Sequence, residues 1–176
     1  MNPENGRVMA MANLPTYKPA EFNKVQDADA FNNAVITSPY EPGSDIKTLT
    51  VAMGLDKGVI EPNSTFVNTD SIKVEDRTIG NATKGQTGTI TMQTALNYSL
   101  NTGMVTIAQR LGDVKSINAN ARNTMYEYFH DRFGFGMKTG IELAGEQPGT
   151  IIAPTRQEGN AVRYSNMAFG QGMDLT

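Results

Sequence analysis

A serine and a lysine one helical turn apart raise the first question of chemistry. In Glu41-Pro42-Gly43-Ser44-Asp45-Ile46-Lys47 they are three positions apart, the spacing that puts two side chains on one helix face. A serine hydroxyl is a poor nucleophile without an adjacent base. The Lys47 amine could hydrogen-bond Ser44 Oγ and take its proton, but only when neutral. From a reference pKa near 10.4, neutrality at pH 7 needs a downward shift of roughly three units, about 4 kcal/mol. Burial in an apolar helix could supply it by desolvation, and a helix N-terminus would favour negative charge developing at Ser44. The plainer reading makes Ser44 only an N-cap and Lys47 a solvated surface lysine.

A second pattern weighs against that plainer reading. Tyr98-Ser99-Leu100-Asn101-Thr102-Gly103 lies between two expected helices, where Ser99 and Asn101 can present a hydroxyl and an amide to one cleft. Ser99 could relay a proton to a leaving amine. Asn101 could hold a substrate backbone and hydrogen-bond Lys47. The plainer reading here is a pair of helix-breaking polar residues at a kink. A rival match, Ser116-Ile117-Asn118, is set aside because Ser116 suits a helix N-cap and no apolar helix precedes it.

The elements that must position these residues follow from local pattern. Asn2-Pro3-Glu4-Asn5-Gly6 is turn chemistry, and residues 7–12 read as a short strand whose hairpin partner is expected before Met1. Residues 13–40 read as irregular. A helix is expected over 44–57, stopped at Gly58 by a glycine C-cap. Its apolar residues spread around most of the circumference, which suggests a buried central helix. Residues 59–90 suggest loops and small strands. Helices are expected over 92–98 with Thr91 as N-cap, over 102–111 closed by Gly112, and over 116–133 closed by Gly134. Residues 135–176 read as mostly loop.

Composition narrows the classes further. With 176 residues the chain can bury one core. Lys and Arg number 15 against 18 Asp and Glu, a net charge of −3, which argues against nucleic-acid binding. There is no cysteine, so disulfides and thiolate metal sites are excluded. The single His130 sits in an aromatic helix with Tyr126, Tyr128, Phe129 and Phe133 and suits packing or surface. No metal site or cofactor is expected. No stretch reaches the roughly 18 apolar residues of a membrane helix.

Ser-x-x-Lys followed by Ser-x-Asn resembles the signature order of penicillin-binding proteins and serine β-lactamases. Glu41-Pro42-Gly43-Ser44 is similar to the nucleophile segment of class B penicillin-binding proteins. Residues 2–12 resemble that family's opening hairpin. Phe133-Gly134-Phe135-Gly136 with Thr139-Gly140-Ile141-Glu142-Leu143 and Gly145-Glu146 resembles a shared loop. Ala168-Phe169-Gly170-Gln171-Gly172 resembles the segment leading to the family's next helix. Two positions depart from the pattern: Asp45 stands where Thr or Ser is commoner and could raise the lysine pKa, and Asp174 stands where a small hydroxyl residue is commoner.

The resemblance implies an α+β fold, an antiparallel sheet flanked by helices. This chain would supply mainly the helical lobe and one early strand, residues 1–176 being the N-terminal portion of one transpeptidase domain. It implies a D,D-transpeptidase with Ser44, Lys47, Ser99 and Asn101 as catalytic residues. Ser44 would be acylated by the D-Ala-D-Ala stem peptide of peptidoglycan or by β-lactam antibiotics, with its own N–H as one oxyanion donor. Other cell-wall synthesis proteins are further expected partners. The expected place is the extracytoplasmic face of the bacterial cytoplasmic membrane, with the anchor on a segment outside this sequence. The alternatives are a carboxypeptidase or β-lactamase with water as acceptor, and an inactive scaffold or β-lactam sensor. The family's third motif, Lys-Thr/Ser-Gly on a core strand, is expected beyond Thr176, so the piece alone is expected to be inactive.

Lys138-Thr139-Gly140 matches that third motif in letters but not in place. Glycines precede it closely, no alternating apolar run extends through it, and it comes before Phe169-Gly170-Gln171-Gly172 instead of after. Lys138→Ala in the intact protein is therefore expected to leave β-lactam acylation within a few-fold of wild type. Lys47→Ala should lower it by orders of magnitude, and equal losses, measured by rates of fluorescent penicillin labelling, would reassign the triplet.

Overall fold

The computed structural model describes residues 1–176. Seven α-helical or strand-forming stretches of sequence converge on one helix, α4 (Asn101–Arg110). Its Met104, Val105, Ile107 and Ala108 are fully buried. Around it lie α2 (Ile46–Asp56), α3 (Met92–Asn97), α5 (Ala119–Tyr126) and α6 (Ala161–Met167). A single helical turn, α1 (Ala34–Thr37), stands apart from this group. Two antiparallel ribbons complete the body. β1 (Thr65–Asn68) pairs with β4 (Gly88–Thr91), Thr65 opposite Thr91. β2 (Ser71–Val74) pairs with β3 (Arg77–Gly80), Ser71 opposite Gly80. Phe66, Val74 and Ile79 carry the ribbons into the core.

The central helix is therefore α4, not the one expected over 44–57. A 3-10 turn, Gly43–Asp45, leads into α2. α2 buries one stripe, Ile46, Lys47, Thr50, Met53 and Gly54, and leaves Leu55 exposed. Positions three and four apart make that stripe, and Thr50 continues it by donating to the Ala168 carbonyl at 2.7 Å. The C-terminus closes as the sequence implies. Gly58 takes φ +65°, and Val59 N–H donates to Gly54 O while Gly58 N–H donates to Leu55 O, the paired bonds of a Schellman motif. Beyond it, Tyr128 and Arg132 both reach Asp56, and Arg132 lies 4.1 Å over the Tyr128 ring. This fixes the far end of α2 to the α5 region.

Several expectations are corrected. Residues 7–12 form no strand. Asn2 and Arg7 close the expected turn at 2.8 Å, but a strand needs a hydrogen-bonded partner and the ladders in this chain lie elsewhere. The helix expected over 116–133 starts at Ala119 and continues as a π-helical turn over Glu127–Arg132. Its N-cap is Asn118, whose side chain accepts from Ala121 N–H, while Ser116 is turned back onto Asp113. The region read as loop contains α6, capped by Asn160. Tyr164 anchors it, fully buried and donating to Ile152 O at 2.8 Å.

The segment after α6 ties the fold to the Ser44 turn. Leu175 and Tyr40 exchange both backbone bonds at 2.9 Å, and Gly43 N–H donates to Gly170 O at 2.9 Å. Gly172 N–H donates to Glu41 Oε1 at 2.7 Å. Gly170 has φ +85°, and a Cβ there would run into the Gly43 carbonyl oxygen. Gly170→Ala combines a left-handed backbone with a backbone clash, and is expected to cost at least about 2 kcal/mol. An unchanged urea midpoint for this variant would show that the Ser44 turn moves aside freely.

Candidate active site

Ser44 sits in the 3-10 turn that feeds α2, exposed, with its hydroxyl capping no backbone N–H. The N-cap reading of Ser44 therefore does not describe it. Its Oγ accepts one hydrogen bond, from Ser99 Oγ at 3.1 Å. Its backbone N–H makes no hydrogen bond within the chain, and it lies at the start of a helical run, where free N–H groups favour negative charge.

Lys47 is 2% exposed. It donates from Nζ to Ser99 O at 2.6 Å and to Ser99 Oγ at 2.9 Å. It is not a solvated surface lysine. Burial lowers its pKa from 10.5 to about 8, because desolvation disfavours the ammonium form. That is somewhat less than neutrality at pH 7 would require: about a tenth of the amines are neutral at pH 7 and about half at pH 8. Asp45 forms no ion pair with Lys47 in this arrangement. The direct Lys47–Ser44 bond is replaced by a bridge: the amine is drawn to the Ser99 carbonyl, and Ser99 Oγ stands between it and Ser44.

The placement of Ser99 has a local cause. α3 ends at Asn97 with Tyr98 as its C-cap, and Ser99 follows with φ +54°. Ser99 N–H donates to Leu96 O and Leu100 N–H to Ala95 O. This is again the Schellman pattern, with serine where glycine is usual. A non-glycine residue pays for that conformation, on the order of 1 kcal/mol. In return, the left-handed residue turns both its carbonyl and its hydroxyl toward Lys47. The chain Ser44–Ser99–Lys47 then has heavy-atom spacings that carry a proton in either direction, since hydroxyl hydrogens rotate.

Asn101 departs from expectation. As the first residue of α4 it donates from Nδ2 to Gly80 O at 2.9 Å, at the end of β3, and not to Lys47. The structure thus joins Ser44, Lys47 and Ser99, and puts Asn101 beside them on a different partner. No sequence pattern marked Gly80. Lys138-Thr139-Gly140 is loop, as expected, and its Thr139 N–H and Oγ1 both donate to Glu146 Oε1, at 2.7 and 2.6 Å. Those bonds, first of all the one from the Thr139 hydroxyl, hold the Glu146 carboxyl below its ordinary range. His130 stacks on Tyr126 with centroids 4.8 Å apart and pairs with Asp131.

The chain is similar to known proteins along its whole length. The family model described as the penicillin binding protein transpeptidase domain matches residues 1–176. Stage V sporulation protein D of Bacillus subtilis is 33% identical over 177 residues, covering 100% of this chain and 26% of that protein. Peptidoglycan D,D-transpeptidase FtsI of Escherichia coli K12 is 28% identical over 171 residues, covering 97% and 26%. The chain spans about a quarter of the length of these relatives. Among solved structures, penicillin binding protein 3 of Mycobacterium tuberculosis, complexed with aztreonam, superposes with TM-score 0.68 at 26% identity over 82% of this chain and 30% of that one. Penicillin binding protein 2X of Streptococcus thermophilus gives TM-score 0.65 at 27% identity over 82% and 19%.

A buried amine with a lowered pKa has two pH signatures. Acylation of Ser44 is expected to rise about tenfold per pH unit below pH 8 and to level off above it. Stability follows the opposite side of the same shift. The folded state binds fewer protons than the unfolded between pH 8 and 10.5, so the cost of the buried ammonium is full below 8 and lifts as pH rises toward 10.5. Lys47→Met should therefore abolish acylation yet raise the urea midpoint at pH 7, and a fall in that midpoint would mean the ammonium is well solvated in the fold.

Proposed function

The chain belongs to the penicillin-binding-protein transpeptidase family, and on that footing we propose that it carries the acylating centre of a peptidoglycan D,D-transpeptidase. The observation that carries this reading is the bridge from Ser44 through Ser99 to the buried Lys47. Ser44 Oγ attacks the carbonyl of the D-Ala-D-Ala amide, and its proton passes through Ser99 Oγ to the neutral Lys47 amine. As the C–N bond breaks, the proton passes from Lys47 through Ser99 Oγ to the leaving D-Ala amine, and Ser44 Oγ stays bonded to the acyl carbon. An amine of a neighbouring stem peptide then takes the acyl group from Ser44, which completes the cross-link. The Ser44 N–H, unbonded within the chain, serves as one oxyanion donor. A β-lactam enters the same path and stops at the acyl-enzyme.

Residues 1–176 are part of one transpeptidase domain in a longer protein, a reading supported by the quarter-length match to the relatives. The carboxylate-binding Lys-Thr/Ser-Gly strand lies on another segment, since the triplet present here is committed to Glu146. The protein works at the extracytoplasmic face of the membrane, where peptidoglycan is assembled, alongside other cell-wall synthesis proteins. The names of the relatives support the transpeptidase reading over an inactive scaffold.

In the intact protein, fluorescent penicillin should label one residue, Ser44, identified by peptide mapping, and Ser44→Ala should abolish labelling. Label recovered on Ser99 would overturn the assignment. With a stem pentapeptide and an amine acceptor, mass spectrometry should find cross-linked dimer, and exclusive formation of hydrolysed tetrapeptide would make water the acceptor.

A further inference from the structure

α4 begins without a cap of its own. Its N-cap residue is Leu100, whose side chain accepts nothing, although the first turn of a helix has N–H groups that need acceptors. The acceptor comes from another element. Asn81, directly after β3, receives the Thr102 N–H on its Oδ1 at 3.0 Å. The neighbouring Gly80 carbonyl receives the Asn101 side chain at 2.9 Å. Two consecutive residues of one strand end thus grip two consecutive residues of the helix start.

The grip is rooted in a buried polar cluster. Asn68, Asn81 and Thr102 are 1%, 5% and 2% exposed. Asn81 Nδ2 donates to Asn68 Oδ1 at 3.2 Å, and Thr102 Oγ1 donates to Asn68 Oδ1 at 2.9 Å. Asn68 in turn donates to Gln86 O at 2.6 Å. Asp70, bonded to Gly85 N–H at 2.8 Å, closes the far side. Position 81 needs an acceptor facing the helix and a donor facing the cluster, which is what one amide supplies.

We propose that Asn81 is a positioning residue for the acylating site: by capping α4 from outside it fixes where Ser99 and Asn101 stand. The inference rests on the acyl-transfer reading of Ser44. Asn101 directly precedes the capped N–H of Thr102, and Ser99 lies two residues before Asn101. Ser99 holds a left-handed backbone that relaxes if the start of α4 is free to shift. A shift of Ser99 lengthens both legs of the Ser44–Ser99–Lys47 bridge, and a displacement of about 1 Å in such a relay can cost on the order of 100-fold in rate.

The test uses the intact protein and fluorescent penicillin, separating the acylation rate constant, the dissociation constant of the non-covalent complex and the final labelling stoichiometry. Asn81→Ala removes the acceptor and is expected to slow acylation about 10- to 100-fold. Stoichiometry should remain one label per chain, and the dissociation constant should stay within about threefold. Asn81→Asp keeps the acceptor oxygen but sets a carboxylate near Asp70, so it should be less stable than wild type and still acylate within about threefold of its rate. If Asn81→Asp is no more stable than Asn81→Ala yet reacts faster, that is a pattern a purely structural role does not produce. If Asn81→Ala does not fold, Asn81→Ser, whose hydroxyl falls short of Thr102 N–H, takes its place in the comparison. A wild-type rate in the acceptor-less variant would overturn the proposal. So would a loss seen only as fewer labelled chains, or an Asn81→Asp protein as slow as Asn81→Ala. Wild-type protein that is not labelled at Ser44 would remove the acyl-transfer reading, and this inference with it.

Discussion

A lysine amine held out of water constrains what surrounds it. Lys47 is buried deeply enough to bring its pKa down to about 8 and still reaches hydrogen-bonding partners, because a buried charge without partners would be ruinous. α2 meets the first demand by placing Lys47 in the same buried stripe as Ile46, Thr50 and Met53. The α3–α4 junction meets the second by turning Ser99 into the left-handed region, so that one residue offers both a carbonyl and a hydroxyl. Neither element alone makes the site. Each is tied to the rest through α4, none of whose residues is exposed.

The Ser44 side of the bridge depends on a different part of the chain. Its turn is held from the far end of the sequence, by backbone bonds from Tyr40 to Leu175 and from Gly43 to Gly170 and by the Glu41 carboxylate on Gly172. Thr50 adds a fourth tie to Ala168. The spacing of Ser44 from Ser99 is thus set by two parts of the fold that meet at α4, one running through α6 and residues 168–175 and one through α3 and α4. Such convergence is typical of sites whose supporting residues lie apart in sequence, and it makes small shifts in either scaffold visible at the hydroxyls.

What was legible in the sequence was local. Ser44 and Lys47 share a turn, Thr91 caps α3, and Gly58 and Gly134 end their helices, because each of these depends on a few neighbouring residues. The family's α+β fold was legible through its motifs. What the sequence hid was pairwise and long-range. The expectation of a strand over 7–12 rested on a turn that did form, but strand pairing depends on a partner that local pattern cannot supply. α6 was missed because Gly149, Pro154 and Gly159 before it and Gly170 and Gly172 after it masked seven residues whose Asn160 cap and buried Tyr164 were the available signal. The N-cap of α5 was misplaced by two residues because Ser116 and Asn118 are both good caps, and Asp113 claimed the serine. Asn101 was given the wrong partner because β3 ends beside it, twenty-one residues away in sequence.

Lys138-Thr139-Gly140 shows how far a motif carries without its context. In this family the same triplet on a core strand is expected to bind the carboxylate of the substrate. Here the triplet also binds a carboxylate: Thr139 N–H, Thr139 Oγ1 and Gly140 N–H all donate to Glu146. Its chemistry is intact, since a run of N–H groups with an adjacent hydroxyl suits an anion wherever the backbone exposes them. What differs is the source of the anion. A loop can fold back and bring a carboxylate from seven residues away, so it satisfies its own donors and becomes a structural clasp. A strand holds its residues extended, so a near neighbour in sequence cannot fold back to fill the site, and the donors are left for a ligand. The surrounding backbone, not the three residues, decides whether such a triplet binds substrate or closes a loop.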